Sequence, residues 1–267
     1  MKIIEEPKVY LIAKTGIEIN GINQYLNDIG SPDWKTDENV SDGENLAEMA
    51  GRICYRSWQP YDSEKKDATN PNVKRVRKGN QAYIQNILES KHGSILEHIN
   101  LTFILRGVSR VLTHELVRHR AGMAYSQESL RYVRLDDISF WFPDKIKENK
   151  KAKEKFDETV KFLEKTQKEL AEIFNIDSID DFSTKKKLTS IFRRIAPIGL
   201  GTSILVTGNL RAWRHIIAIR SSQAAEEEFR IVVSQIAEIC KAEFPHIFQD
   251  MTKDANTGEY IFSNQKV

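Results

Sequence analysis

The sequence has few cysteines, no long apolar run and almost no net charge, and each shortage excludes a class of protein. Its 267 residues include only Cys54 and Cys240, too few for a disulfide framework or a cysteine-rich zinc site. No stretch approaches 18 consecutive apolar residues, which excludes a transmembrane helix. The N-terminus is acidic and lacks the basic start and apolar run of a secretory signal. We therefore expect a cytoplasmic protein without a membrane partner.

The charge balance also argues against a general affinity for polyanions. The 40 basic residues are matched by 38 acidic residues, which gives a formal net charge of +2. A nucleic-acid-binding protein usually carries a basic excess on one surface. Hydrophobic residues make up 40% and charged residues 29%, the balance of a folded globular chain. We expect a globular protein that does not bind nucleic acid.

Hydrophobic periodicity predicts strands and helices without a regular strand–helix–strand repeat. Alternating apolar residues indicate strands, and apolar residues three or four apart indicate helices. The predicted strands are 8–13, 99–106 and 129–135, followed by an apolar stretch at 203–207. The predicted helices are 45–54, 81–90, 109–120, 145–174 and 210–244, and the predicted loops are 29–43 and an exposed one at 60–80. This order favours an α+β fold with a single domain over residues 1–267.

The helix predicted over 145–174 is rich in lysine and glutamate and has a narrow apolar stripe. The stripe consists of Phe156, Val160, Leu163, Leu170 and Phe174. Acidic residues are interleaved with the lysines, so a solvated charged face is favoured over a nucleic-acid patch.

Residues 109–134 carry the strongest chemical signal. They include five arginines and two histidines: Arg110, His114, Arg118, His119, Arg120, Arg131 and Arg134. In an extended segment Gln127, Ser129 and Arg131 share one side. Arginine can hold a phosphate through two parallel hydrogen bonds, and an amide can donate to and accept from a base edge. The segment suits a phosphorylated planar ligand, and a surface ion-pair cluster with Glu115, Glu128, Asp136 and Asp137 is the alternative.

Two further segments carry polar clusters. His92, Glu97 and His98 could bind a metal by residue type, but their spacing is not that of a zinc protease, and structural histidines are favoured over a metal site. Asn209 suits a helix N-cap, and the helix that follows would place Arg211 and His215 on one face. Arg220 would lie about half a turn round that helix, which indicates either two sites or one site assembled from several chains.

Ordinary nucleophilic and dinucleotide motifs are missing. The sequence has no G-x-S-x-G elbow, no P-loop and no G-x-G-x-x-G. An α/β-hydrolase, a P-loop nucleotide-binding protein and a Rossmann dinucleotide-binding protein are therefore not indicated. Cys54 lies beside aromatic and basic residues that could lower its pKa, but a buried structural thiol is favoured.

The polar clusters together resemble a known family. RHR at 118–120, followed by SQESLRY at 126–132, is similar to the signature of the flavin-dependent thymidylate synthases. Further blocks of that family occur in its order: AGRICYRS at 50–57, HGSILEH at 92–98, residues 193–197, and TGNLRAWRHIIAIR at 207–220. The resemblance covers about 45–245, with a charged helical insertion at about 145–187.

The resemblance implies an activity, cofactors and a fold. Members use FAD to convert dUMP to dTMP, with methylenetetrahydrofolate as carbon donor and NADPH as reductant, and they release tetrahydrofolate. They are homotetramers with a mixed α/β core whose active sites draw on several chains.

The resemblance also assigns site residues by position. The implied FAD contacts are Ser94, Arg118, His119, Arg120, Gln127, Asn209, Leu210, Arg211 and His215, with His92 and Glu97 lining or supporting the pocket. The implied dUMP contacts are Glu115, Arg118, Gln127, Glu128, Ser129, Leu130, Arg131, Arg193 and Arg220. Arg220 is the implied catalytic residue, which would favour ionisation of the pyrimidine at N3 and so make C5 more nucleophilic.

This sequence departs from the family pattern at three points. Eight residues, rather than the common seven, separate Arg120 from Ser129; Glu115 stands where glutamine is usual; and Cys54 stands where some members have serine. An unpaired carboxylate at position 115 would repel a nucleotide phosphate. Two alternatives therefore stay open: a flavoprotein of other nucleotide specificity, and a non-catalytic nucleotide- or RNA-binding protein.

Overall fold

Alternating apolar residues build a four-stranded antiparallel sheet, around which the helices pack. The computed structural model describes residues 2–131 and 139–267. The strands are β1 (Lys2–Ile4), β2 (Lys8–Lys14), β3 (Asn100–Ser109), β4 (Met123–Gln127), β5 (Ser139–Trp141), β6 (Gly201–Asn209), β7 (Met251–Lys253) and β8 (Tyr260–Phe262). The main sheet has the order β2-β3-β6-β4, and β1 pairs with β5 and β7 with β8 in two smaller sheets.

Nine α-helices are assigned within the described ranges. They are α1 (Ile19–Asp28), α2 (Asp42–Tyr55), α3 (Asn80–Glu89), α4 (Arg110–Leu116), α5 (Asp144–Lys147), α6 (Lys150–Ile173), α7 (Phe182–Phe192), α8 (Leu210–Arg220) and α9 (Glu227–Glu243). Short 3-10 helices occupy Gly93–His98, Ile176–Ser178 and Arg193–Ile195. In the parts of the chain that are described, no helix is long and apolar enough to cross a membrane.

The core lies between one face of the sheet and the helices α8 and α9. Leu101, Phe103 and Leu105 alternate along β3 and are fully buried, as the alternating pattern predicts. Phe103 meets Trp213 of α8 edge-to-face at 5.2 Å between ring centroids. The mixture of an antiparallel sheet with separate helices confirms the predicted α+β class.

The single helix predicted over 210–244 is wrong, because the chain breaks between α8 and α9. Glu226 accepts a hydrogen bond from the backbone N–H of Phe229 and so caps the start of α9. The Ser221 hydroxyl accepts from the N–H of Tyr260 instead of facing solvent along a continuous helix. The break allows α8 and α9 to pack against each other and bury apolar faces in one core.

The predicted helix over 109–120 is too long, because α4 ends at Leu116. The Tyr125 hydroxyl shares its one proton between the carbonyl oxygens of Leu116 and His119, acceptors that a longer helix would have used. The chain then turns through residues 117–122, with Gly122 at a φ of +70°, before β4 begins.

The strand predicted over 129–135 does not start at Ser129. Strand β4 ends at Gln127, and the Ser129 hydroxyl accepts from the N–H of Arg131 at 3.3 Å, which forms a turn. The prediction that Gln127, Ser129 and Arg131 lie on one side of a continuous strand is therefore wrong, because only Gln127 belongs to β4. Residues 132–138, including Arg134, Asp136 and Asp137, lie outside the described residues.

Two other predictions need partial correction. The segment 145–174 is helical but is divided into α5 and α6, with Asn149 capping α6 through the N–H of Ala152 at 3.1 Å. Val160 of its predicted stripe is buried, whereas Phe156 and Phe174 remain about half exposed. The loop predicted over 60–80 is confirmed up to residue 79, since α3 begins at Asn80. It is not wholly exposed, because Ala68 packs into a small core with Trp58.

Candidate functional site

The first candidate site is a cavity of about 440 Å³ between the 118–122 turn and the start of α8, called here the RHR cavity. Its volume lies within the range of small-molecule sites. The lining residues are Glu97, Arg118, His119, Arg120, Ala121, Gly122, Asn209, Arg211, Ala212, His215 and Ile216. The cavity thus brings together three blocks of sequence spread between positions 97 and 216.

Asn209 and Gly122 join the turn to the helix that forms the opposite wall. The Asn209 side chain caps α8 by accepting from the N–H of Ala212 at 2.8 Å, and its own backbone N–H donates to the Gly122 carbonyl at 3.0 Å. A Cβ atom at position 122 would overlap the Asn209 side-chain amide. Glycine is needed here both for the positive φ and for this close approach.

His119 is a neutral hydrogen-bond acceptor on the wall of the RHR cavity. Burial, with the neighbouring Arg220 cation and then His215, lowers the pKa of His119 to about 4. Arg220 donates its Nε–H to Nε2 of His119 at 3.1 Å, so the proton of the neutral ring is assigned to Nδ1.

Arg220 lies behind His119, outside the residues that line the cavity, and is paired with a carboxylate. Its Nη1 donates to Oε2 of Glu115 at 2.7 Å. The acid that replaces the usual glutamine is therefore not an unpaired charge. Arg211, which is on another side of α8, faces the cavity, so the two arginines take different positions round the helix, as the sequence predicts.

Two other arginines of α8 form ion pairs that differ in burial and in the number of hydrogen bonds. Arg211 donates to Glu97 at 2.6 Å, and both side chains are about half exposed; such pairs contribute little stability. Arg214 is buried, forms two hydrogen bonds with Asp250 at 2.8 and 3.0 Å, and donates to the Ile247 carbonyl. Arg214 therefore has a structural role in the same block that supplies Arg211.

Not every residue implied for FAD lines the RHR cavity. Seven of the eleven do: Glu97, Arg118, His119, Arg120, Asn209, Arg211 and His215. Leu210 is buried in the main core, and Ser94 lies exposed on the Gly93–His98 turn. His92 stacks on Tyr55 and forms a 2.7 Å hydrogen bond with its hydroxyl, while Gln127 lines a different cavity.

That second cavity, of about 560 Å³, lies between the end of β4 and the Arg193–Ile195 turn and is called here the arginine cavity. Its lining residues are Arg110, His114, Gln127, Glu128, Ser129, Leu130, Ser190, Arg193, Arg194, Ala196 and Ile198. Five of the residues implied for dUMP are among them: Gln127, Glu128, Ser129, Leu130 and Arg193. The other four, Glu115, Arg118, Arg131 and Arg220, do not line it.

Arg110 is a partly buried cation of the arginine cavity whose charged form is disfavoured mainly by burial. Burial lowers the pKa of Arg110, Glu128 opposes that effect, and Arg193 adds to it. Arg110 donates to the Glu128 backbone carbonyl at 3.0 Å, but its Nε is buried without a partner among the described residues. The Glu128 carboxylate accepts from the Ser203 N–H at 3.0 Å and so is engaged by β6. An anionic ligand would supply a further counter-charge and an acceptor for the unpaired Nε.

Sequence reasoning missed several residues of the arginine cavity as ligand contacts. Arg110 and His114 are one helical turn apart, and that spacing was the available signal. Arg194 follows Arg193 directly, but no sequence pattern marked it as a ligand contact. Cys54, favoured above as a buried thiol, is exposed, whereas Cys240 is buried and its pKa is raised by that burial.

Comparison with known proteins identifies the family. Residues 37–246 match the family model described as thymidylate synthase complementing protein. The chain is 36% identical over 82% of both chains to a protein of Corynebacterium diphtheriae named flavin-dependent thymidylate synthase. Proteins of the same name from Mycobacteroides abscessus and Mycobacterium tuberculosis are 35% and 34% identical over 91% of this chain and 89% of theirs.

A solved structure supports the fold assignment. The crystal structure of a UMP/dUMP methylase from Streptomyces cacaoi, bound with 5-Br dUMP, superposes with a TM-score of 0.62 over 93% of this chain and 96% of that one, at 17% identity. The matched range agrees with the extent of the resemblance found in the sequence, and the relatives match over most of both chains. The chain therefore belongs to the flavin-dependent thymidylate synthase family.

Proposed function

We propose that this protein is a cytoplasmic thymidylate synthase that converts dUMP to dTMP, with FAD as its cofactor, methylenetetrahydrofolate as carbon donor and NADPH as reductant. The relatives carry the name of this activity, and the solved methylase was bound with a dUMP analogue. The observation that carries the proposal is the RHR cavity, where seven of the residues implied for FAD converge.

The donor set of the RHR cavity fits a flavin dinucleotide. Arg118, Arg120 and Arg211 offer planar guanidinium groups that suit a diphosphate. The N-terminus of α8, which opens at the cavity wall, favours an anion as well. FAD, when bound, supplies the hydride for reduction of the transferred methylene group, and NADPH restores the reduced flavin.

Arg220 is the proposed catalytic residue. Its guanidinium is permanently charged and would stabilise negative charge that develops on the pyrimidine after ionisation at N3. This action needs no proton transfer from the arginine itself. The neutral His119 accepts a hydrogen bond from Nε of Arg220 and so helps to hold the guanidinium in place.

The arginine cavity is the proposed dUMP phosphate site. Arg110, Arg193 and Arg194 supply positive charge, Ser129 supplies a hydroxyl, and Gln127 can recognise a base edge. Arg220 does not line this cavity within one chain. We propose that a homotetramer brings Arg220 of one subunit to a nucleotide held by another, since symmetric assembly can complete a site from two surfaces.

The activity is tested with purified protein, FAD, NADPH, methylenetetrahydrofolate and dUMP labelled with tritium at C5. We expect flavin absorbance bands that shift when dUMP is added, and release of tritium with formation of dTMP. Arg220→Ala should retain the flavin bands and lose methylation, while the control Arg106→Ala, an exposed arginine of β3, should behave as wild type.

Each other result has a definite meaning. Flavin bands that ignore dUMP would favour a flavoprotein of other specificity. Colourless protein after incubation with FAD, together with salt-sensitive binding of RNA, would favour the non-catalytic alternative. Near-normal methylation by Arg220→Ala would refute the role given to that arginine.

A further inference from the structure

Glu115 is an acidic residue placed where it touches the proposed catalytic arginine. It lies in the last turn of α4, and its Oε2 accepts from Nη1 of Arg220 at 2.7 Å. The two side chains are 35% and 23% exposed, so the pair is shielded more than an ordinary surface ion pair. A charge-assisted hydrogen bond of this length is stronger and more directional than a neutral one.

Two other contacts act on the same guanidinium. Its Nε donates to His119 at 3.1 Å, and its central carbon lies 5.0 Å from the centroid of the Phe229 ring. Bonds at Nε and Nη1 together fix the guanidinium plane. Among residues 2–131 and 139–267 no protein acceptor is paired with Nη2, which leaves that nitrogen available to a ligand.

Neither of the other contacts can replace the carboxylate. The His119 ring holds only Nε of the guanidinium, and the Phe229 ring restrains position along only one direction. An arginine side chain carries about 2 kcal/mol of rotamer entropy, so a guanidinium held at one nitrogen would sample other rotamers. The nearby acid, Glu226, already caps α9 through the Phe229 N–H at 3.2 Å.

We propose that Glu115 is a positioning residue, which holds Arg220 in one orientation with Nη2 directed away from the protein contacts and Nε on His119. This inference rests on the proposed function, because it assumes that Arg220 acts on the substrate. The acid in place of the usual glutamine is thus part of the site. Its carboxylate oxygen orients the arginine, and the carboxylate does not face the nucleotide phosphate, which is assigned to the arginine cavity.

Three substitutions separate orientation from mere charge. Glu115→Met removes the acceptor but keeps the length and helix preference of the side chain, and Glu115→Gln keeps an acceptor oxygen at the same place. Glu243→Met is the control, because Glu243 forms a similar 2.6 Å pair with Lys14 elsewhere on the surface. We expect kcat to fall on the order of 10- to 100-fold in Glu115→Met, with the KM for dUMP changed less than about threefold. Glu115→Gln should retain kcat within about threefold, and the control should match wild type.

A second measurement needs no turnover. In ¹⁵N-histidine-labelled protein without substrates, His119 of the wild type should show the Nδ1–H tautomer, since its Nε2 accepts from Arg220. Glu115→Met should shift this signal towards the tautomer mixture of a free imidazole, while Glu115→Gln and the control should keep it.

The outcomes distinguish this inference from the proposed function. If wild type makes no dTMP, the proposed function fails, and the His119 signal still tests whether Glu115 orients Arg220. If wild type is active and Glu115→Met keeps both kcat and the His119 signal, the positioning role is wrong. A changed signal with unchanged kcat would also overturn it, because orientation would then not matter to the reaction. If Glu115→Met does not fold, a large loss of kcat in folded Glu115→Gln would contradict the proposal.

Discussion

The carboxylate of Glu228 accepts two hydrogen bonds from Ser109, one from its backbone N–H at 2.6 Å and one from its hydroxyl. Both residues are buried, and Ser109 in turn caps α4 through the N–H of Leu112. The start of α9 therefore fixes the start of the helix that carries Arg110 and Glu115. Burial raises the pKa of Glu228 to about 7, although the bonds from Ser109 act in the opposite direction.

Glu228 should make the protein less stable as the pH rises from about 4.5 to 7. Its pKa in the folded chain lies above the ordinary value of 4.5, so the folded state binds a proton more tightly than the unfolded state. The stabilising effect is complete below pH 4.5 and is lost as the pH passes 7, with a total of up to about 3 kcal/mol. Glu228→Gln, which is always neutral, should lose this dependence.

Thermal melts at pH 5 and pH 8 measure the effect. The melting temperature of Glu228→Gln minus that of wild type should be several degrees larger at pH 8 than at pH 5. The exposed Glu89→Gln substitution on α3 serves as the control for a change of net charge. An equal difference at both pH values would show that Glu228 does not titrate with folding.

Gly122→Ala should damage the RHR cavity more than a positive φ alone can explain. A side chain at φ +70° costs about 1–2 kcal/mol, and here the new Cβ would also overlap the Asn209 amide. Gly258→Ala is a matched control, because Gly258 has a φ of +74° and a Cβ atom added there would have no neighbouring atom within 4 Å. We expect a loss of stability in both variants and a loss of FAD binding, measured by fluorescence titration, in Gly122→Ala only. Equal FAD affinity in the two variants would contradict the close approach.

Tyr125→Phe should loosen the turn that carries Arg118 to Arg120. The Tyr125 hydroxyl donates to the carbonyl oxygens of Leu116 and His119, and burial raises its pKa to about 12, so it stays protonated as a donor. Removal of this donor, whose one proton is shared between the two carbonyl oxygens, should cost about 1–3 kcal/mol and weaken FAD binding about tenfold. Urea unfolding and FAD titration check the two effects, with Tyr10→Phe, an exposed tyrosine of β2, as control. Unchanged FAD affinity with reduced stability would limit Tyr125 to a structural role.

Strands β2, β3 and β6 and the start of α8 could be predicted from local pattern, but strand β4 and the ends of α4 and α8 could not. Alternation in β3 and the N-cap at Asn209 are local signals, and both predictions are confirmed. The end of α4 depends on Tyr125, which lies beyond the turn and offers its hydroxyl to the carbonyl oxygens of Leu116 and His119. The end of α8 depends on packing of α9 against the same core. Tertiary contacts determine both helix ends, and the periodicity of a single segment carries no information about those contacts.

The site shows the same division between local and distant information. The cationic residues of the 118–120 turn and the start of α8 were found as clusters, because each cluster is contiguous in sequence. Their convergence on one cavity followed only from the family resemblance, since the two clusters are far apart along the chain. The Glu115–Arg220 pair joins residues 105 positions apart, and no spacing rule connects such positions. The exposure of Cys54 likewise depends on how α2 packs.

His119 should remain neutral down to about pH 5, and this should depend on Arg220. Its pKa of about 4 lies below the ordinary value of 6.5 because of burial first, then the Arg220 cation and then the neighbouring His215. The unfolded chain therefore binds the proton more tightly, so the stability contributed by neutral His119 is present above pH 6.5 and is lost as the pH falls through 4. Arg220→Met removes one cation and should raise the His119 pKa towards 6.5. Histidine titration by ¹⁵N NMR measures the pKa of His119 in wild type and in Arg220→Met, with Arg106→Met as control. A wild-type His119 that titrates near pH 6.5 would show that Arg220 and burial do not hold the ring neutral.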